Sequence, residues 1–363
     1  AEQGLAPNLW DFFTDLIRLG TREESFFFLK VMAGEQLVGV ATVARVEQYN
    51  PYRALGSQWR RFRFLEKMLR LSRLFGRNVM YCAMSEILCA NLDGPVFCVD
   101  VAWREPVKTA VAKYLRTKRD AAYVVVMDAS EDSDTYQAAG FTAFPYCSST
   151  WIDAGSYRSI DEYLARHSRT RKKLARFQRR QEVRVEVLLG TLEEGDKPAL
   201  RKCLASSADN TRSVIPFQGF FDAHILDTEA YRAESYLHIL VRMNGILVGF
   251  TTFKRCGRSL GAILGGFDRA YTYDNPIYDL VMVTALDHAL ANGYDRVYFG
   301  ILNNFTKARL TDGYGPLGFY FYSKFWLYRM LQRRLHFVWT PHELHQLERR
   351  ALAEKAPDGK TPA

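Results

Sequence analysis

Met243-Asn244-Gly245-Ile246-Leu247-Val248-Gly249-Phe250-Thr251-Thr252 repeats a stretch met some 210 residues earlier, Met32-Ala33-Gly34-Glu35-Gln36-Leu37-Val38-Gly39-Val40-Ala41-Thr42, with one residue fewer in the turn. Each copy reads as strand, glycine-containing turn, strand. Asn244-Gly245 is a type I′ hairpin signal, because both central residues must take positive φ. Two further echoes follow in the same order, offset by about 178 residues. Asp120-x-x-Tyr123 opens an apolar run as Asp295-x-x-Tyr298 does, and Tyr136-x-x-x-Gly140-Phe141 returns as Tyr314-x-x-x-Gly318-Phe319. The chain therefore reads as one α/β unit written twice.

Working outward, helical spacing predicts helices over 8–19, 105–116, 132–139, 160–181, 198–208, 217–227 and 278–292, the last closed by Gly293. Strands are expected over 95–101, 122–127, 141–152, 183–189, 260–267, 296–299 and 319–328, with hairpins at 26–46 and 236–253. A turn is expected at 268–276, a short helix at 306–310, and one polar helix after Pro341. The difference between the two offsets implies an insertion in the first half, residues 56–80, rich in arginine and aromatic residues. The resulting organisation is a first unit over 1–153, a second over 154–340, and a tail over 341–363.

At 363 residues the chain can bury two cores of ordinary size. No apolar run reaches the roughly 18 residues of a membrane helix, so no transmembrane segment is expected. The first residues lack the basic start of a signal peptide. The six cysteines show no C-x-x-C and no histidine at ligand spacing, so neither a disulfide nor a metal site is assigned, and scattered thiols suit a cytoplasmic location. The net charge of +9 is concentrated. Arg166–Arg180 carries eight Lys/Arg and no acid, and residues 60–77 carry seven against the single acid Glu66. Such blocks suit an anionic partner such as a phosphate-bearing donor, RNA or, for 59–77, an anionic surface; a solvated helix face is the plain alternative.

The order of elements (two helices, a three-strand meander, a helix, a strand, a short helix, a last strand) resembles the GNAT acyltransferase fold in both halves. The expected fold class is thus α/β (α+β): two tandem GNAT-like domains, each a mixed, mostly antiparallel central sheet flanked by helices. The second half resembles the FemABX-related group through Ser168-Arg169-Thr170-Arg171-Lys172-Lys173-Leu174-Ala175-Arg176, then Tyr278, Ala289 to Gly293, Phe299-Gly300 and Lys307. One departure matters. GNAT enzymes that use coenzyme A usually carry Arg/Gln-x-x-Gly-x-Gly/Ala before the helix after the fourth strand, whose bare N–H groups hold pyrophosphate. Here the aligned stretches are Arg104-Glu105-Pro106-Val107-Lys108-Thr109 and Asp274-Asn275-Pro276-Ile277-Tyr278.

The resemblance implies an N-acyltransferase that moves an acyl group from an activated donor to an amine. The co-substrate would be acyl-CoA or acyl-carrier protein, with no tightly bound cofactor, and the acceptor a small-molecule amine. The alternatives are an aminoacyl-tRNA-dependent transferase of the FemABX type, with tRNA as partner, and a non-catalytic binding protein. On the same ground Tyr314 is expected to protonate the leaving group, its phenol being neutral at pH 7. Lys307 is expected to stabilise the oxyanion, and Asp268 to serve as general base. Arg169, Arg171, Lys172, Arg176 and Tyr278 are expected to bind the donor. Tyr136 and His238 read as packing residues.

Overall fold

The computed structural model describes residues 24–46, 79–83, 96–129, 132–190, 192–211, 234, 236–272, 275–299, 307, 309–326 and 329–330. The expected helices at 8–19 and 217–227, most of the basic insertion, and the tail lie outside the described residues.

The first hairpin is β1 (Glu24–Ala33) and β2 (Gln36–Val46). Then follow β3 (Val79–Ala83), β4 (Val96–Cys98), α1 (Arg104–Thr117), β5 (Ala121–Ala129), α2 (Ser133–Ala138) and β6 (Thr142–Ile152). The second half runs α3 (Ile160–Arg166), α4 (Ser168–Arg180), β7 (Val183–Leu189), α5 (Lys197–Thr211), β8 (Tyr236–Met243), β9 (Ile246–Cys256) and β10 (Ser259–Phe267). It closes with α6 (Arg269–Thr272), α7 (Ile277–Ala291), β11 (Arg296–Tyr298) and β12 (Gly313–Ser323). The β8–β9 turn is the one the sequence requires: Asn244 takes φ 49° and Gly245 φ 78°.

All twelve strands among the described residues join one sheet in the order β1-β2-β3-β5-β12-β6-β11-β10-β9-β8-β7, with β4 paired to β2 off that path. The order is nearly symmetric about the β12–β6 pair. Hairpin β1–β2 answers β8–β9, β3 answers β10, and β5 answers β11; the β3–β5 and β10–β11 pairs are parallel. The last strand of each half crosses to the other: β6 pairs with β11, and β12 pairs with β5. The two halves, of matching strand order, are thus sewn together by exchanged strands.

Each half has its own core. In the first, Val107, Val111, Ala112 and Leu115 of α1 pack on Val79, Tyr81, Val124 and Val126. In the second, α7 is buried nearly all round through Leu280, Val281, Met282, Ala285 and Leu286, as an apolar helix between a sheet and other helices must be. A Cβ on Gly249 of β9 would meet Ile277 of α7, whereas one on Gly266 of β10 would meet the backbone of α5, so helices cover both faces.

Several expectations need correction. A five-residue strand, β3, begins inside the window taken as insertion, and it, not residues 95–101, supplies the partner of β5. The helix expected over 160–181 breaks at His167, which has φ −109° and ψ 54°. The turn at 268–276 contains α6. The final strand starts at Gly313, earlier than 319.

The third echo is one of letters only. Gly140 ends α2 at φ +85°, with Phe141 N–H donating to the Tyr136 carbonyl at 3.0 Å, as a helix C-terminus requires. Gly318 instead lies mid-strand in β12, where a Cβ would come within 2.4 Å of the Tyr320 hydroxyl. Tyr314 is accordingly a strand residue in register with Thr150, not the counterpart of Tyr136 on a helix.

The close approach at Gly266 gives a test. Its Cβ in Gly266→Ala would stand 2.6 Å from Leu204 N and 2.7 Å from Cys203 C, both backbone atoms that cannot swing aside. Thermal unfolding should show a loss of about 1–3 kcal/mol, while Gly195→Ala, with open space around it, should stay within about 0.5 kcal/mol.

Candidate active site

β10 and β11 pair only from Ser259↔Arg296 to Gly261↔Tyr298. Beyond that point β10 continues to Phe267 paired with β9, so among the described residues the pairing of the two parallel strands stops at the carboxyl end of β11. The chain leaving β11 must cross to the first half to form β12, and Lys307, on that crossover, lies at the carboxyl end of β11. Lys307 is 5% exposed, and its ammonium donates to the carbonyl of Phe299, the residue after β11. The Tyr163 hydroxyl donates to the Leu310 carbonyl at 2.5 Å, and Tyr157 donates to Asp312 Oδ1 at 2.5 Å. Asp312 Oδ2 also accepts the Asp153 amide at 2.9 Å. A buried charged residue is costly unless held in this manner.

The structure places the expected residues unevenly. Tyr278 is the second residue of α7, its ring edge-on to Phe267 at 5.4 Å. Burial, and secondarily the charge of Asp279, push its phenol far above the usual tyrosine range, so it keeps its proton at neutral pH. Arg169, Arg171, Lys172 and Arg176 are all exposed on α4, whose buried face is Thr170, Leu174 and Phe177. The α4 cation that turns inward is a different one, Lys173, with Nζ 3.7 Å from Asp279. Tyr314 lies on β12, on the strand that carries the crossover into the other half.

Asp268 follows β10 and is almost fully buried. Lys202 of α5 pairs with it at 2.7 Å, and its Oδ1 accepts the Ala270 amide. The Lys202 hydrogen bond, outweighing desolvation, holds its carboxyl below the usual range, so it is a weak proton acceptor.

Sequence reasoning passed over three groups here, Asp279, Tyr163 and Asp312. Asp279, 2% exposed, binds Arg309 through Oδ1. Its signal was visible as a lone acid in the apolar run Ile277-Tyr278-Asp279-Leu280-Val281. Tyr163 and Asp312 gave no signal of their own. His167 packs its ring on Tyr163 at 4.4 Å, and burial pulls its imidazole pKa below the ordinary value, so it is neutral at pH 7.

The matching position of the first half is filled. Lys108 is fully buried between Asp128 and Asp132, 2.7 Å from each, and Arg104 reaches Asp132 at 3.6 Å. The Tyr136 hydroxyl donates to Asp128 at 2.6 Å, and its ring stacks on Tyr320 at 4.3 Å. Burial raises the Asp128 pKa while Lys108 pulls it back. Tyr136 is a packing residue, as expected.

Comparison with known proteins agrees with this architecture. Residues 165–308 match the family described as "Acetyltransferase (GNAT) domain". No curated protein sequence matches. Among solved structures, the C-terminal domain of a putative lysylphosphatidylglycerol synthetase from Agrobacterium fabrum is 13% identical, covers 85% of each chain and superposes with a TM-score of 0.52. L-PGS from Bacillus licheniformis is 12% identical, covering 88% of this chain and 93% of that one, with a TM-score of 0.51. FemX is 11% identical over 93% and 95% of the two chains, with a TM-score of 0.50. At such identities these structures share the fold alone. The second half thus matches a GNAT domain over residues 165–308, and the chain as a whole shares its fold with these structures.

The Asp268–Lys202 pair predicts a pH dependence. A carboxyl with a depressed folded pKa contributes stability above its unfolded pKa, near 3.9, and loses it as pH falls through the folded value. Asp268→Asn should therefore lower the melting temperature at pH 7, and the difference from wild type should shrink below about pH 4.

Proposed function

We propose that the second half transfers an acyl group from an activated, phosphate-bearing donor to an amine, forming an amide. The observation that carries this reading is the parted β10–β11 pair, with the buried Lys307 ammonium at its edge and an acid-free cationic helix, α4, packed nearby against α7. Residues 1–153 then act as scaffold, 154–340 as the transferase unit, and the reaction takes place in the cytoplasm.

In this scheme the amine lone pair attacks the donor carbonyl. Lys307 stabilises the oxyanion that forms, and collapse expels a thiolate or an alkoxide, which takes a proton from Tyr314. Tyr278, held protonated by burial, lines the donor side. The acceptor ammonium gives its proton to Asp268 or to water. The depressed pKa of Asp268 makes it a weak base, so the rate should rise with pH through the acceptor's own pKa. No step requires a tightly bound cofactor.

The donor class divides into a thioester of coenzyme A or a carrier protein and an aminoacyl-tRNA. The second has specific support: seven cations and no acid on α4, and a fold shared with FemX and with structures named as lysylphosphatidylglycerol synthetase and L-PGS. Polyanion binding by such a face is strongly salt-dependent.

Assays with acyl-CoA, acyl-carrier protein and aminoacyl-tRNA donors should single out one class. With that donor, Lys307→Met should lower kcat about 10²- to 10³-fold, and Tyr314→Phe about 10²- to 10⁴-fold. Neutralising Arg171, Lys172 and Arg176 together should raise the donor KM and flatten its salt dependence while leaving kcat nearly intact. Unchanged turnover in both single variants would remove the active site from the carboxyl end of β11.

A further inference from the structure

The first turn of α7 combines three features that favour an anion. It starts after Pro276 with no side-chain cap, so its leading N–H groups carry the positive end of the helix. Arg309 reaches it from the crossover and Lys173 from α4, their side chains 41% and 50% exposed. Between the two cations lies a carboxylate of the chain itself. Asp279 Oδ1 accepts from Arg309, while Oδ2 is buried, makes no hydrogen bond, and has Lys173 Nζ at 3.7 Å.

Asp279 is a poor choice for folding alone. It interrupts an otherwise apolar buried helix and leaves one oxygen without a donor, a state proteins seldom retain without cause. An orphaned carboxylate oxygen is suited to a ligand ammonium, but Arg309 and Lys173 outnumber the carboxylate and would repel one. The same charge count makes the position attractive to phosphate, and Asp279 occupies it.

We propose that Asp279 is a resident anion that fills the phosphate position of the second half and so sets the donor class. The donor is one whose phosphates engage the exposed face of α4; a donor that must seat a pyrophosphate on the α7 N-terminus meets the Asp279 charge and is rejected. This rests on the reading of the second half as the transferase unit. The first half repeats the arrangement, since Arg104 and Lys108 in the opening turns of α1 are matched by Asp132 and Asp128.

The test is binding, on the full chain, with inorganic pyrophosphate and coenzyme A as probes. Calorimetric titration of wild type should show no saturable site at α7. Asp279→Asn, which keeps the shape and drops the charge, should gain at least tenfold in pyrophosphate affinity, with a matching rise in melting temperature. Arg309→Gln on that background should abolish the gain. Asp279→Ser, small and well tolerated in a first helical turn, provides the same comparison should the Asn variant not fold. A folded variant that gains nothing overturns the proposal, as does wild type binding pyrophosphate as tightly as Asp279→Asn at an Arg309-sensitive site. Lack of turnover with every donor would refute the transferase reading and leave this binding result unaffected.

Discussion

The backbone pairing of β6 with β12 is the constraint on which the rest of this molecule depends. A strand edge left open at the middle of a sheet is a row of unpaired N–H and C=O groups, and proteins cover such edges. Here each half covers the other's. β12 enters between β5 and β6, and β6 lies beside β11, so neither half can complete its sheet alone. Local chemistry adapts to the exchange. Gly313 opens β12 where a Cβ would sit 2.5 Å from the Trp151 ring, and Arg296 of β11 pairs with Asp153, just past β6, at 2.6 Å.

The exchange also sets what meets the carboxyl end of β11. Because the chain must leave β11 and cross the seam, residues 307–312 are drawn past the carboxyl end of β11, where Tyr157 and Tyr163 fasten them. That places Lys307 against Phe299 and brings Arg309 to the first turn of α7. In the first half Asp128, near the end of β5, and Asp132, just after it, meet Lys108, and the Lys108–Asp128 pair is fully buried. Breaking such a pair leaves a charge uncompensated, so the filled half is committed to its present form. One topology thus carries different buried charges in its two halves, Lys108 with Asp128 in the first and Asp279 with Arg309 in the second.

Much of this was legible in the sequence, for physical reasons that differ by element. The hairpins were readable because Asn244-Gly245 admits few conformations, and the end of α7 because Gly293 at φ +69° is a helix stop. The parallel strands were readable through Asp120 and Asp295, each just ahead of β5 and β11. β3 was missed because five apolar residues beside a basic amphipathic stretch show no distinctive period. The Tyr-x-x-x-Gly-Phe echo misled because glycine serves two purposes, a positive φ at Gly140 and room for a phenol at Gly318. In the proposed site, Lys307 and Tyr278 were singled out by resemblance. Asp279 was not, since a single acid in an apolar helix acquires meaning only when Arg309 and Lys173, distant in sequence, arrive beside it.

The central claim is that the donor is received by the second half, along α4 and the 307–312 crossover, and not by the first. Hydrogen–deuterium exchange of the full chain, with and without a hydrolysis-resistant analogue of the donor that supports turnover, tests it directly. The account predicts added protection in 168–180 and 307–312 with α1 and α2 unchanged. Protection of 104–117 and 128–138, with α4 exchanging as before, would contradict it.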